Sequence, residues 1–550
     1  MAYRHIAGVR QRFSAFNNTF TTQFNCDMGQ LIPVFCEEVI PGDKTSISVE
    51  SVTRFQPLTA PILHPIYQNY YFGFVPTRTI MNEKTIEENE DTGLWTDFIT
   101  GGQDGRDSTT LPTWDRIQDE NGDYFDVRTA DLPTLQKYFG KYSFWDYMGF
   151  PLPDFTSVDT ARATLPTVDS MPLRFMVRAY NYFWNEYVRS QDLQDEVPLD
   201  NPVIRNMCWS KDRFTTALVE SQRGDRPAIP LSGITGVNFL GPDLVNPPTG
   251  TSVQLNSRYD ALILDGSGFG TSGPGLSDSQ RLVATLNFRN WLNQNSIDLN
   301  NAVSIDVADF RRIVQLQRLL ERNMRGGARY TEMLKYAWGV RPQDSRLQRP
   351  EFIGMTRNPI IISEVLNTSG DGQRPQGDMA GHGISAQQTF IGKHEAHEHG
   401  YIIGFCCTRP VPLYKLGINK QWQRRSRYDF PRAELLHLSE VAVKNSEICV
   451  TGTSRDDDVF GLQGIFDELR IKESRVCADM RDVFDYWNLA RDDFNRDNPP
   501  SLNANFVECR PTKRIFVVQD EPGLIINCAV KVRAVRPLPL VADPGYLDHF

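Results

Sequence analysis

Three histidines, His394, His397 and His399, stand within the run HEAHEH, and imidazoles this dense are the raw material of a zinc site. The spacing is not HExxH, and on a strand only His397 and His399 share a face, so a polar strand entrance fits better. Phosphate chemistry is hinted at by Gly268-Phe269-Gly270-Thr271-Ser272-Gly273, a GxGxxG match that follows the strand-like ALILDGS. Pro274-Gly275 comes where that motif needs a helix N-terminus to face a pyrophosphate, so the segment reads as a Gly-rich loop. Asp119, Asn121, Asp123 and Asp126 resemble a calcium loop, but the glycine is misplaced and the twelfth position is Ala130 rather than a bidentate glutamate. Arg223-Gly224-Asp225 spells an adhesion tripeptide on a polar loop. There is no P-loop and no GxSxG elbow, and 68 acidic residues always offer some carboxylate pair, so no catalytic constellation stands out.

Two basic stretches carry a different chemistry. Residues 1–26 contain Arg4, Arg10 and Arg12 and no acid, as a tail that faces nucleic acid or bridges subunits would. Residues 415–432 hold six basic residues and one acid; Arg424, Arg425 and Arg427 are interleaved with Trp422, Tyr428 and Phe430. Arginine beside aromatic rings serves single-stranded nucleic acid, with charge for phosphates and rings for bases, and it equally serves protein interfaces. The interface is the favoured reading for 415–432. Lys531 and Arg533, on the polar face of a C-terminal strand, belong to the same set of interface or DNA-facing candidates.

The elements that must position these residues are mostly strands. Leu31–Ile40, Thr45–Phe55 and Ile66–Pro76 are each bounded by turn residues, and the Pro41-Gly42-Asp43 turn predicts that the first two pair as antiparallel neighbours. Tyr70, Phe72 and Phe74 alternate as in a half-buried strand, and Pro33 implies an edge or a bulge. A helix is expected over Leu173–Arg189, with Leu173, Val177, Tyr180, Trp184 and Tyr187 on its core face, Ser170 as its cap and Pro172 near the first turn. A second runs over Val307–Asn323, with Phe310, Ile313, Leu316, Leu319 and Leu320 on one face and Gly326-Gly327 at its end. A short helix follows at Tyr330–Trp338. Towards the C-terminus come Tyr401–Cys407, Arg514–Val518 and Leu524–Val535; in the last, Ile526, Cys528, Val530, Val532 and Ala534 share one face. Strands at both ends with helices between them predict one antiparallel β scaffold that carries its bulk in its connections.

Composition sets the class. A chain of 550 residues with 40 % hydrophobic and 23 % charged residues is globular, and aromatics at 11 % fit large packed surfaces. The formal charge of −10 disfavours a free-standing nucleic-acid binder. Residues 83–131 hold fourteen acids against four bases, a local −10 that reads as a solvated loop face. Residues 231–280, with nine Gly, four Pro, one Arg and no Lys, read as an elaborated surface insertion. Nine cysteines without a CxxC pair point to free thiols in a reducing compartment, and Cys406 and Cys407 should face opposite ways on a strand. With no apolar run long enough to span a bilayer and no signal-peptide core in MAYRHIAGVRQRF, a soluble chain folded in a cytoplasm is expected.

Taken together, several motifs carry a family resemblance. Met28-Gly29-Gln30-Leu31-Ile32-Pro33, followed by Glu38-Val39-Ile40-Pro41-Gly42-Asp43, resembles the opening of gokushovirus-type major capsid proteins, from the microvirus family of single-stranded DNA phages. Further matches in family order are Asp97–Gly102, Leu319–Arg322 leading into Arg325–Glu332, Ser345–Glu351, Glu398–Tyr401 and Pro544–His549. The resemblance implies a mainly β fold with helical insertions, an eight-stranded antiparallel jelly roll with long loops. Its parts are an N-terminal basic arm (1–27), a jelly-roll core (28–82 and 355–550), an acidic and helical insertion (83–209), a Gly-rich insertion (210–306) and a helical insertion (307–354). It implies no enzyme and no cofactor. It implies sixty copies in a T = 1 shell around circular single-stranded DNA, assembled in the bacterial cytoplasm, with a small basic DNA-binding protein and a pilot protein as partners. The Gly-rich insertion, with Phe269 and Gly270, would form a threefold protrusion that meets a host receptor. The competing classes are a secreted carbohydrate-active jelly-roll enzyme, which expects a secretion signal, and a trimeric receptor-binding spike.

Overall fold

The computed structural model describes residues 12–82, 93–101, 110–225, 227, 307–366, 379–436 and 440–541. The chain divides into two compact units, one of residues 1–221 with 324–550, the other of 222–323. The Gly-rich segment 231–280, with Phe269 and Gly270, lies outside the described residues, as do Arg4 and Arg10.

The strands are β1 (Ser14–Asn17), β2 (Phe20–Cys26), β3 (Ile32–Val39), β4 (Lys44–Phe55), β5 (Ile66–Pro76), β6 (Arg116–Gln118), β7 (Tyr124–Asp126), β8 (Glu351–Pro359), β9 (Ile361–Leu366), β10 (Met379–Glu395), β11 (Gly400–Pro410), β12 (Glu440–Lys444), β13 (Val459–Gly464) and β14 (Leu524–Arg536). The first sheet has the order β1-β14-β4-β10-β9, and β2 follows β1 along the same edge of β14. The second has the order β3-β11-β5-β8, and β6-β7 and β12-β13 form small two-stranded sheets. All pairings between these strands are antiparallel. The protein is therefore mainly β with helical insertions, consistent with a viral-capsid type of jelly roll.

Strand alternation explains how the two large sheets face each other. In β14 the residues Leu524, Ile526, Cys528, Val530, Val532 and Ala534 are all buried, and the residues between them turn outward. Ile47, Val49 and Phe55 of β4 join them against Tyr70, Phe72 and Phe74 of β5 and Ile402 and Cys406 of β11. Pro33 sits where both of its implications hold, in an edge strand and at a register shift opposite Gly404 and Phe405.

The Pro41–Asp43 turn, however, does not make β3 and β4 neighbours. It carries the chain from the second sheet to the first, because three residues reach across the ~10 Å between stacked sheets as readily as they reverse a hairpin. Gly42 takes a left-handed φ of 94°, buried Asp43 accepts the Ile40 N–H, and Gly42 N–H donates to Ala396 O at 2.7 Å. Nor is β5 half-buried. Its second face packs against the helix Phe175–Phe183, and a Cβ on Gly73 would come within 2.7 Å of the Phe183 ring.

That helix starts later than expected. Leu173 forms an extended bridge with Thr113, Ser170 closes a separate 3-10 turn, and the helix begins after Arg174 before ending in a π-helical turn, Trp184–Val188. Val177, Tyr180 and Trp184 are buried as their spacing predicts. The helices Val307–Gly326 and Tyr330–Trp338 form, with Gly327 at a φ of 98° after the first, although Phe310, Leu316 and Leu319 of its apolar face are exposed. Arg514–Val518 is a turn rather than a strand. Phe516 N–H closes onto Lys513 O and pairs only as a lone bridge with Leu58. The acidic segment is not wholly a solvated face either, since Trp114, Ile117 and Val127 are fully buried in a second core beneath the helices. The charge tally averaged over them.

Within that second core Asp200 is 1 % exposed and accepts Arg178 Nε and Nη2 at 2.7 and 2.8 Å, and the Tyr124 hydroxyl at 2.8 Å. Arg174 Nη1 lies 3.3 Å away. Burial pushes the Asp200 carboxyl up, but Arg178 and Arg174 outweigh it and hold its pKa below the usual value. Replacing Asp200 by Ala leaves two buried guanidiniums facing each other and should cost about 3–5 kcal/mol, read as a lowered midpoint in chemical denaturation. Buried His64 joins two loops: Nε2 lies 2.7 Å from Val411 O, and Nδ1 accepts the Leu489 N–H at 3.2 Å. Burial lowers its pKa from 6.5 to about 4. The unfolded chain therefore protonates first, and the stability His64 contributes is complete above pH 6.5 and lost as pH falls towards 4. His64→Gln should flatten the fall in thermal midpoint across that window.

Candidate interaction surfaces

Residues 415–436 cross the surface above a third core that contains Phe214, Tyr414, Val443, Phe460, Phe494 and Phe506. What fixes this loop is a set of buried charges beneath it. Arg213, 1 % exposed, pairs with Glu447 and Glu473 and donates Nε to Gln463 Oε1 at 2.9 Å. From above, Asn419 donates to Glu473 at 2.6 Å and Lys420 Nζ donates to Ala442 O at 2.7 Å. Burial lowers the Lys420 pKa, and Glu447 opposes the shift. Lys415 pairs with Asp492.

The candidate residues divide accordingly. Arg424 is committed inward, with Nη2 2.7 Å from Glu468 Oε1 and its guanidinium 5.4 Å from the Phe430 ring centre. Asp429 accepts the N–H groups of Ser426 and Arg425 at 2.7 and 2.8 Å, which hold its carboxyl below the usual range and shape the turn. The other side chains are presented outward: Trp422 is 68 % exposed, Tyr428 58 % and Phe430 52 %. Arg425 and Arg427 are exposed beside them, and Arg427 stacks 4.8 Å from the Tyr428 ring centre. A loop tied down from below and apolar above presents aromatic anchors with little ordering cost, as a contact between proteins requires.

Lys531 and Arg533 lie on another element, the outward face of β14, where Lys531 pairs with Glu50. Arg12, exposed, lies two residues before β1. Sequence reasoning overlooked Lys393 and Phe390 on the outward face of β10, although Ile384, Ala386, Gln388 and Phe390 alternate outward there. The three histidines do not converge on a common ligand. His394 is inside, 4.6 Å from the Phe74 ring centre with its pKa lowered by burial to about 4, whereas His399 packs 5.7 Å from Trp95. Asp119 accepts the N–H groups of Asn121 and Asp123, closing the β6-β7 hairpin. No group of three metal-ligating side chains occurs among the described residues, nor a helix long and apolar enough to cross a membrane. All nine cysteines are free thiols, and Cys406 and Cys407 do enter opposite cores.

Comparison with known proteins finds similarity along nearly the whole chain. The family model for capsid protein (F protein) matches residues 4–546. Capsid protein VP1 of Chlamydia phage 1 is 27 % identical over 97 % of this chain and 96 % of its own length. Capsid protein VP1 of Bdellovibrio phage phiMH2K is 27 % identical over 100 % and 98 %, and that of Spiroplasma virus 4 is 26 % identical over 94 % and 92 %.

The loop geometry makes a specific demand. Glu468→Gln removes the buried charge that holds Arg424 and should raise the rate of proteolytic cleavage within 420–432 several-fold and lower the melting midpoint, as measured by limited proteolysis and calorimetry.

Proposed function

The chain belongs to the capsid protein (F protein) family, a structural rather than enzymatic family, and from that membership we propose that it builds a closed T = 1 shell of sixty copies around circular single-stranded DNA. The observation that carries this reading is the strand order. Taking β2-β14-β4-β10 against β3-β11-β5-β8, the chain moves between two facing four-stranded sheets in the manner of a jelly roll of eight strands. The extra strands β1 and β9 lengthen the first sheet at its edges. This architecture supports shell building because its insertions supply separate surfaces for twofold, threefold and fivefold contacts.

In this reading Trp422, Arg425, Arg427 and Tyr428 meet a neighbouring subunit, and Arg424 positions their loop through Glu468. Arg4, Arg10 and Arg12 lead the chain into an arm that faces the interior. A net charge of −10 leaves most phosphate charge unneutralised, so a small basic DNA-binding protein is a partner, together with a pilot protein. Assembly takes place in the bacterial cytoplasm, and the segment 210–306, including Phe269 and Gly270, meets the host receptor.

Electron microscopy and mass photometry of the purified full-length protein test this directly. The expected particle is a closed shell of about 3.8 MDa, sixty times the 62.7 kDa chain, whereas trimers or monomers would sink the proposal. In the same experiment, deleting 231–280 should leave particles intact and abolish their attachment to host cells.

A further inference from the structure

The two large sheets differ in what covers their outer faces. Behind the second sheet lie the helix Phe175–Phe183 and its aromatic core. On the first, the outward residues Val52, Phe390, Ile525 and Val535 are exposed. The outward positions of β4, β10 and β14 carry five cations, Lys44, Arg54, Lys393, Lys531 and Arg533, against two carboxylates, Glu50 and Glu395. Lys44 pairs with Glu395 at 3.0 Å and Lys531 pairs with Glu50. Arg54, Lys393 and Arg533 are left without a carboxylate partner among the described residues, on a protein whose overall charge is −10.

Register turns this excess into a shape. Ser46 of β4 stands between Lys393 of β10 and Arg533 of β14, and the next outward residue, Ser48, stands between Phe390 and Lys531. Two short hydroxyl side chains thus floor a trough whose walls are three cations and one ring, with wall-to-wall backbones about 10 Å apart, two strand spacings. Phe390 is 56 % exposed, with its face available to a flat partner.

We propose that this trough on the open face of the first sheet binds the backbone of single-stranded DNA. Lys393 and Arg533 hold phosphates, Phe390 stacks a base, and the Ser46 and Ser48 hydroxyls donate to phosphate or sugar oxygens. Charge for phosphates and a ring for bases on one flat face is how single strands are held without sequence preference. A protein neighbour would be expected to bring carboxylates to Lys393 and Arg533 or to cover Val52 and Ile525 as well. Two unpaired cations, Lys393 and Arg533, flanking the same residue, Ser46, favour the polyanion. This assignment rests on the capsid reading for its occupant and adds the surface that occupant meets.

The test uses the full-length protein and a fluorescent oligothymidylate long enough to cross the sheet, with anisotropy followed as a function of salt. Lys393→Gln with Arg533→Gln should weaken binding at least tenfold and reduce the slope of log affinity against log salt by about 1.4, as expected for two phosphate contacts on a single strand. Phe390→Ala should weaken binding about tenfold with the slope unchanged. Arg496→Gln with Arg510→Gln, exposed cations on other elements, should leave binding at the wild-type value, and circular dichroism checks that each variant folds. Wild-type affinity and slope in the Lys393/Arg533 double variant would overturn the proposal. So would loss of particles with DNA binding intact, which would make the face a contact between copies. Particle formation is scored separately on the same material: failure of the wild-type protein to close shells counts against the capsid reading, while the binding series still judges the trough.

Discussion

Strand β11 is dry on both faces, and the division of labour in the rest of the molecule follows from that. Ile402 and Cys406 point into the core between the sheets, while Ile403, Phe405 and Cys407 point into the core beneath the helices. Phe405 packs 5.5 Å from Tyr180 and 4.8 Å from Phe183. Each such side chain contributes about 1.5–3 kcal/mol when taken from water, so the second sheet cannot stay uncovered. The helical insertion meets that need, and its own stability depends on the same contact, because a helix of nine residues is marginal alone. The second sheet is covered on its outer side over β11 and β5, with Phe352 and Met355 of its edge strand exposed, whereas the first is open across β4, β10 and β14.

How much of this was legible in the sequence varies with how local the determinant is. The alternation in Leu524–Val535 and the continuous apolar run in Tyr401–Cys407 identify a one-sided and a two-sided strand, and both strands form where expected. Partners were not legible. A turn as short as Pro41–Asp43 looks the same whether it reverses a hairpin or crosses between sheets, and only the pairing of β3 with β11 and β4 with β14 decides. The long strand β10 escaped notice because Gly381, Gly383 and Gly392 interrupt its alternation, and its outward cation and ring went with it. Buried Asp200 and Arg213 were invisible for the same reason, since nothing nearby in sequence names their partners. Periodicity and the family motifs agree on a mainly β scaffold with helical insertions, and that is what forms.

Charge is sorted by depth in a way that composition hides. Of 58 basic residues, Arg174, Arg178, Arg213 and Arg491 are each no more than 2 % exposed, held by carboxylates and rings. In 415–432, Lys415, Lys420 and Arg424 are likewise directed to Asp492, Ala442 and Glu468. A basic run of six therefore offers a partner only about half its cations. Buried pairs of this kind add little net stability over apolar replacements but are costly to break, so they fix geometry more than they raise stability. That suits an element whose value lies in holding Trp422 and Tyr428 at one place on the surface.

Placement of that sort matters most when a contact is repeated. In a closed shell each joint is reinforced by every other, so a single joint can be weak provided that its geometry closes. The constraint then falls on angle rather than affinity, because a loop that wanders admits joints that do not close. Ordering a mobile aromatic side chain on binding costs about 0.5–1.5 kcal/mol, and a loop already fixed by Arg424–Glu468 and by Asp429 avoids part of that cost at every copy. In the proposed shell the Arg213 network beneath it acts on assembly through the orientation of the loop it anchors. Rigidity of the joint and weakness of the joint are compatible, and the proposed shell asks its subunit for both.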